Sequence, residues 1–240
     1  MTIRQVVDRS WSEWFGADPA QLRSPGVRVI SDPPGMPGYR GIYLLRLGDG
    51  CTVGAPPDIF GDVRARAVGV DADTLYTRDA APGLVGDTAG LVFGPSRHAY
   101  LDADTFLSPR PCDARRLSPD DAHAIAAFRT DIAEAEWNES GFGSEDPVGI
   151  WGAFEGRELA AMGNMTDFGG SPGDVGLLTH PSFRGRGLGT GLAGAMITDA
   201  LPTVPVIRYR ALESNVPSLA VAAKLGFVPD GGNIAVRLRA

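Results

Sequence analysis

Lysine is all but missing: Lys224 is the only one in 240 residues, so arginine carries nearly all the positive charge. Basic residues number 22 against 29 acids, a net charge of −7. That balance repels polyphosphate partners at long range and favours cationic ones. It also argues against the broad basic face of a nucleic-acid protein. Cysteine is scarce too, and Cys51 and Cys112 fit no metal or redox spacing, which predicts reduced core thiols. The three histidines, His98, His123 and His180, are too scattered to suggest a metal site. No apolar run approaches the roughly 20 residues that cross a bilayer. The N-terminus interrupts its apolar residues with charges and has no signal-peptide core. These absences predict a cytoplasmic chain with no membrane partner and no metal. Gly-Lys-Ser/Thr does not occur either, so a Walker-type phosphate loop is excluded.

The remaining composition, 43% hydrophobic and 21% charged, is that of a globular protein. Its length admits one large domain or two small ones, and we divide it near residue 110. Residues 1–110 hold many of the prolines and glycines. A helix is predicted over 5–15, with Trp11, Trp14 and Phe15 on or near one face. A hairpin follows over 42–53, where Asp49-Gly50 supplies the φ > 0 residue of the tight turn. Another helix is predicted over 58–68 and two short strands over 90–101. Nothing catalytic stands out, which suits an α+β domain of structural or substrate-covering role, or a degenerate half.

Beyond 110 the signals sharpen. Ser118-Pro119-Asp120-Asp121 caps a helix predicted to run to about residue 135. Residues 148–165 read as an antiparallel hairpin turning at Glu155-Gly156-Arg157, and 175–179 as a short strand. A small-residue helix over 190–201 stops at Pro202. A strand over 206–212, a helix over 217–225 closed by Gly226 and a strand over 234–238 complete an α/β domain with a mixed sheet.

The most informative segment lies between the strand at 175–179 and the following helix, with glycine at 185, 187, 189 and 191. Positions without side chains let backbone N–H groups approach a phosphate, and a helix N-terminus adds partial positive charge. Arg184 and Arg186 bring full charges to the same segment. The pattern suits a pyrophosphate. A dinucleotide is disfavoured, because only one further β-α-β follows and that fold needs more strands after its first turn.

Here the sequence resembles the GNAT superfamily of N-acyltransferases. Its hallmark Arg/Gln-x-x-Gly-x-Gly/Ala stands as Arg184-Gly185-Arg186-Gly187-Leu188-Gly189, preceded by Thr179-His180-Pro181. A second element, Asn215-Val216-Pro217-Ser218 leading to Lys224-Leu225-Gly226-Phe227, follows at the family's distance. The resemblance covers about residues 112–240 and implies a mostly antiparallel mixed sheet flanked by helices, with the N-terminal α+β domain outside it.

By that resemblance, Arg184, Gly185, Arg186, Gly187, Leu188, Gly189 and Thr190 hold the pyrophosphate of acetyl-CoA or another acyl-CoA. The backbone of Leu177, Leu178 and Thr179 pairs with the pantetheine arm, one of its N–H groups polarises the thioester carbonyl, and Asn215 assists. The acceptor is a small-molecule amine. An amine of pKa ~10.4 needs a base or a water to take its proton, and Asp174, Glu213 and His180 are the candidates, with Asp174 favoured by its place at the head of the strand. Glu136, Glu139, Glu145 and Asp146, with Trp137 and Phe142, lie where the family lines its acceptor pocket. One departure matters: Ala222 stands where the family usually carries a tyrosine that protonates the leaving thiolate. Ser218, one helical turn earlier, shares that face and can orient a water. Two alternatives remain. One is a non-catalytic acyl-CoA-binding module. The other is a transferase of the same fold using aminoacyl-tRNA, for which Arg208, Arg210 and the turn arginines would form the basic patch.

Overall fold

The computed structural model describes residues 1–142, 147–166 and 173–239. Its contacts divide the chain into two compact units, and the division does not follow chain order. The first holds Met1–Ala99, Arg210–Val216 and the chain from Pro229 onward; the second holds the described residues of Tyr100–Tyr209 together with Pro217–Val228. Among the described residues, no helix is long and apolar enough to cross a membrane.

The first unit opens with α1 (Ile3–Phe15) and α2 (Pro19–Arg23), followed by β1 (Gly26–Ser31), β2 (Gly41–Leu47) and β3 (Gly50–Ala55). Next come α3 (Pro57–Ala67), α4 (Ala72–Leu75) and β4 (Ala89–Leu101), of which residues 89–99 belong to this unit. Thr2 and Gln5 form a reciprocal capping box at the start of α1, and Gly16 ends it at φ 65°. In the β2–β3 hairpin the left-handed residue is Gly48 (φ 58°), not the expected Gly50. The pairing Leu47↔Gly50 makes Gly48-Asp49 the two-residue turn, and glycine at its first position supplies the positive φ. Residues 90–101 form one strand rather than two, because β4 continues through Pro95.

The chain returns to this unit at its end. Strand β10 (Val228–Leu238) pairs antiparallel with β2, which pairs antiparallel with β3, which runs parallel to β1. Ile42, Leu44, Val53, Val63, Leu84 and Val236 build the core on one face of these strands. The thiol of Cys51 is in the same core, where burial pushes its pKa up to about 11. His98 is fully buried, stacked on Trp11 at 5.5 Å and hydrogen-bonded through Nε2 to Asn233 Oδ1 at 2.8 Å, a packing role. Arg23 joins Asp8 of α1 to Asp230 of β10 through three short charge-assisted bonds.

The second unit contains β5 (Ala114–Arg116), α5 (Ala122–Thr130), α6 (Glu134–Glu139), β6 (Pro147–Glu155), β7 (Glu158–Thr166) and β8 (Gly173–Thr179). It continues with α7 (Leu188–Ala200), β9 (Ile207–Leu212) and α8 (Val216–Lys224), of which β9 contributes residues 207–209 and α8 residues 217–224. Strands β5, β6, β7 and β8 pair antiparallel in that order. Helix α7 packs on β6, β7 and β8, and Gly163 of β7 makes room for Met196 of α7. Phe128, Ile132, Met162 and Leu178 form a core with α5. The predicted helix over 118–135 breaks at 131–133 into α5 and the short α6.

The start of α5 is held by one carboxylate. Asp121 accepts two bonds from Arg115 (2.6 and 2.9 Å) and one from the Ser118 backbone N–H (2.8 Å). The Arg115 guanidinium, then that backbone N–H, hold the carboxyl well below the usual carboxylate range. A depressed folded pKa contributes stability that is present above the unfolded value and is lost as pH falls through the folded one. Asp121→Asn should therefore lower the thermal midpoint at pH 7. The difference from wild type should narrow as pH falls below about 3.9, and a difference independent of pH would refute this account.

Candidate functional site

The glycine-rich turn keeps its backbone open. Gly185 (φ 78°) and Gly187 (φ 82°) adopt left-handed conformations that side chains disfavour, and a Cβ at either would meet no atom within 4 Å. Gly187 is the N-cap of α7 and supplies no capping side chain. The first backbone N–H groups of this 13-residue helix, those of Leu188, Gly189 and Thr190, therefore lack a side-chain cap at its positive end. The other glycines serve packing. A Cβ on Gly189 would sit 2.8 Å from Thr179 Oγ1, one on Gly191 would sit 3.0 Å from Cys112 Sγ, and one on Gly194 would clash with Pro109.

Strand β8 leads into this turn and is paired unequally on its two edges. Its ladder to β7 runs from Ala161↔Thr179 to Thr166↔Asp174, whereas its parallel ladder to β9 consists of Gly173↔Ile207 and Asp174↔Arg208. The His180 N–H donates to the Ala160 carbonyl on the β7 side at 2.9 Å. Because backbone groups alternate along a strand, Leu178 and Gly176 also point toward β7, while Val175, Leu177 and Thr179 point toward β9. Past the Asp174–Arg208 rung the N–H and C=O groups of Leu177 and the N–H of Thr179 border the gap where the two strands part. The side chains of Leu177 and Thr179 face α7 beside Gly189, and that of Leu178 lies in the α5 core.

The ion pairs around this gap were invisible in the sequence. Asp174, 7% exposed, accepts from Arg208 Nε and Nη2 at 3.1 Å each, a buried bidentate pair across the last rung. Both of its oxygens are engaged, so it is poorly placed to take a proton. Arg184 is turned toward α6: its Nη2 donates to both oxygens of Glu136 (2.9 and 3.0 Å) and its Nε to the Thr179 carbonyl (3.1 Å). Arg186 is exposed, with its guanidinium 5.2 Å over the Phe183 ring. His180 lies between Asp131 Oδ2, 3.1 Å from Nε2, and the Ser182 N–H, which donates to Nδ1 at 3.3 Å. Both ring nitrogens of His180 thus already face a protein partner.

Glu213 and Asn215 belong to the first unit. Glu213 pairs with Arg97 at 3.3 Å and anchors its N–H on the Pro95 carbonyl, while the Asn215 N–H donates to Leu212. Ser218, in the second unit, is 3.0 Å from the Tyr209 hydroxyl, a partner the sequence reading missed. Trp137 and Phe142 stack at 5.0 Å, and Arg129 lies 4.7 Å over Trp137, so a cation already occupies one aromatic face. Gly176 admits the Ser140 carbonyl and Asn164 against β8, and Asn164 Nδ2 donates to the Gly141 carbonyl at 3.1 Å. Glu145 and Asp146 lie outside the described residues. Among the described residues, no group of three or more His, Cys, Asp or Glu could hold a metal ion. Two open cavities of about 580 and 570 Å³ belong to the first unit, one beside β1 and α3 and the other beside residues 35–40.

Residues 102–228 match a family model described as an acetyltransferase (GNAT) domain. Among solved structures, a GNAT-family acetyltransferase from Colwellia psychrerythraea is similar with a TM-score of 0.50 and 17% identity, over 65% of this chain and 60% of that one. A GNAT-family protein from Novosphingobium aromaticivorans gives 0.48 and 20%, over 63% and 67%. A GCN5-related N-acetyltransferase from Kribbella flavida gives 0.47 and 16%, over 66% and 63%. The chain thus spans about 60% of the length of the first of these structures, and at such identities the likeness concerns fold alone. No curated protein matches the sequence.

Proposed function

Since the chain belongs to the GNAT acetyltransferase family, we propose that it moves an acetyl or other acyl group from CoA to the amine of a small molecule. Direct attack of the amine on the thioester is the mechanism. The observation that carries this reading is the parting of β8 from β9 beside an uncapped, glycine-lined helix start. In the proposed complex, backbone N–H groups from Gly185 to Thr190 bind the pyrophosphate. The β9-facing edge of Leu177 and Thr179 pairs with the pantetheine arm, and one of its N–H groups polarises the thioester carbonyl. CoA supplies an activated acyl carbon and a thiolate leaving group.

Arg184 has a choice of anions in this scheme. Its pair with Glu136 is half exposed on both sides, and pairs of that kind contribute little to stability. A pyrophosphate can therefore draw Arg184 away, leaving the Glu136 carboxylate to meet a cationic acceptor. For removal of the amine proton, Asp174 and His180 are already committed to partners. The remaining route is a water at the mouth of the gap.

Ala222 favours a second reading, an acyl-CoA-binding module without turnover. Titration of the full chain with acetyl-CoA by calorimetry, followed by thiol-release assays with lysine, tyramine and spermidine, separates the two. Binding with amine-dependent thiol release supports the enzyme; binding without release supports the module. No binding would remove both, and product formed only from aminoacyl-tRNA, without competition by CoA, would select the other acyl donor.

A further inference from the structure

Expulsion of a thiolate calls for a hydrogen-bond donor at the sulfur, and Ala222, a methyl, stands where the resemblance would place one. Strand β9 leaves β8 after Arg208, and the next residue is Tyr209. Its ring is 4% exposed, edge-on to Phe227 at 5.3 Å and 68°, and its hydroxyl is 3.0 Å from Ser218 Oγ on α8. Ser218 is half-buried, and the side chain one helical turn on, Ala222, is a buried methyl with no donor of its own. A hydroxyl pair thus begins one residue past the last β8–β9 rung, one member locked in the core and the other on a helix face.

We infer that Tyr209 is a positioning residue for transfer: its O–H donates to Ser218 Oγ, so that the Ser218 O–H is aimed at the sulfur of the thioester. This rests on the acyl-CoA reading above. As the amine nitrogen bonds to the acyl carbon, the C–S bond breaks and its electron pair stays on sulfur, stabilised by the Ser218 O–H. The amine proton leaves to water, and the thiolate takes a proton from solvent on release. Neither hydroxyl loses its proton. Burial pushes the phenol of Tyr209 upward, which keeps it a donor at neutral pH, and a donor into Ser218 strengthens the outgoing Ser218 bond.

The test uses the full chain with acetyl-CoA and whichever of lysine, tyramine or spermidine gives the highest thiol release. Tyr209→Phe keeps the ring against Phe227 and removes the bond. It should lower kcat roughly 10-fold or more while the Kd for acetyl-CoA and the KM for amine stay within about twofold. Ser218→Ala should lower kcat at least as far, Ser218→Thr should restore most of it, and the double variant Tyr209→Phe/Ser218→Ala should be no slower than Ser218→Ala. Tyr209→Phe at wild-type kcat, or losses that multiply in the double variant, would overturn the inference while leaving the transferase intact. A wild-type chain that binds no acetyl-CoA, or binds it without turnover, overturns it together with the reading beneath it.

Discussion

Asp174→Ala should cost about 3–5 kcal/mol of folding stability, among the largest effects of any single substitution near the site. The reason is what it leaves behind. Arg208 is 13% exposed at its side chain and directs Nε and Nη2 at the two Asp174 oxygens. With the carboxylate gone, a guanidinium stays buried opposite a methyl group. Asp174→Asn should lose less, because its amide oxygen still accepts one of the two bonds. The double variant Asp174→Leu/Arg208→Met should recover much of the loss, since an apolar pair of similar volume can replace a buried ion pair. Urea unfolding of the three variants measures this, and a loss below about 1 kcal/mol in Asp174→Ala would refute it. The same series bears on chemistry. A general base at Asp174 would leave Asp174→Asn inactive even at temperatures where it is fully folded, whereas a latch at the last β8–β9 rung predicts that folded Asp174→Asn keeps its activity.

Replacing Gly185 and Gly187 together by alanine should weaken acetyl-CoA binding on the order of 100-fold while the fold survives. Two contributions add. Each alanine strains a left-handed backbone by about 1–2 kcal/mol, which favours a reshaped turn whose N–H groups no longer converge. Each new methyl also projects into empty space, since nothing lies within 4 Å of either position, and that is the space a pyrophosphate would fill. One lost hydrogen bond to a charged group is worth roughly 1.5–3 kcal/mol, so one or two lost bonds account for the expected factor. Calorimetry with acetyl-CoA gives the affinity, and urea unfolding confirms that the chain folds. Unchanged affinity in a folded variant would show that this turn is not where the donor is held. Gly189→Ala is a contrasting control: its Cβ would press on Thr179 Oγ1 at 2.8 Å, so it should reduce stability as well as affinity.

Much of the local architecture was legible in the sequence because it is written in short-range chemistry. The Ser118 to Asp121 cap, the Gly156 turn of the β6–β7 hairpin and the Gly226 end of α8 each involve a few adjacent residues whose dihedral preferences act alone. The Arg184–Thr190 turn belongs with them: the glycine spacing predicts an open backbone before a helix, and residues 102–228 belong to the family that the spacing resembles. The errors were local as well. Gly48 rather than Gly50 carries the positive φ, and α5 stops at Thr130 because 131–133 leave the helix before α6 begins.

What long-range partners decide could not be read in this way. That β10 returns to pair with β2 depends on contacts between residues 41–46 and 232–237, and no local propensity encodes them. The same holds for the site. The family resemblance proposed Asp174, Arg184, His180 and Ser218 as site residues. Tertiary structure gave them Arg208, Glu136, Asp131 and Tyr209 as partners, and those partners set which oxygens and nitrogens stay available for chemistry. A residue's type and its place on a strand follow from its neighbours in the chain. Its charge partner and its reactivity follow from which strand lies beside it, where that strand departs, and what fills the gap.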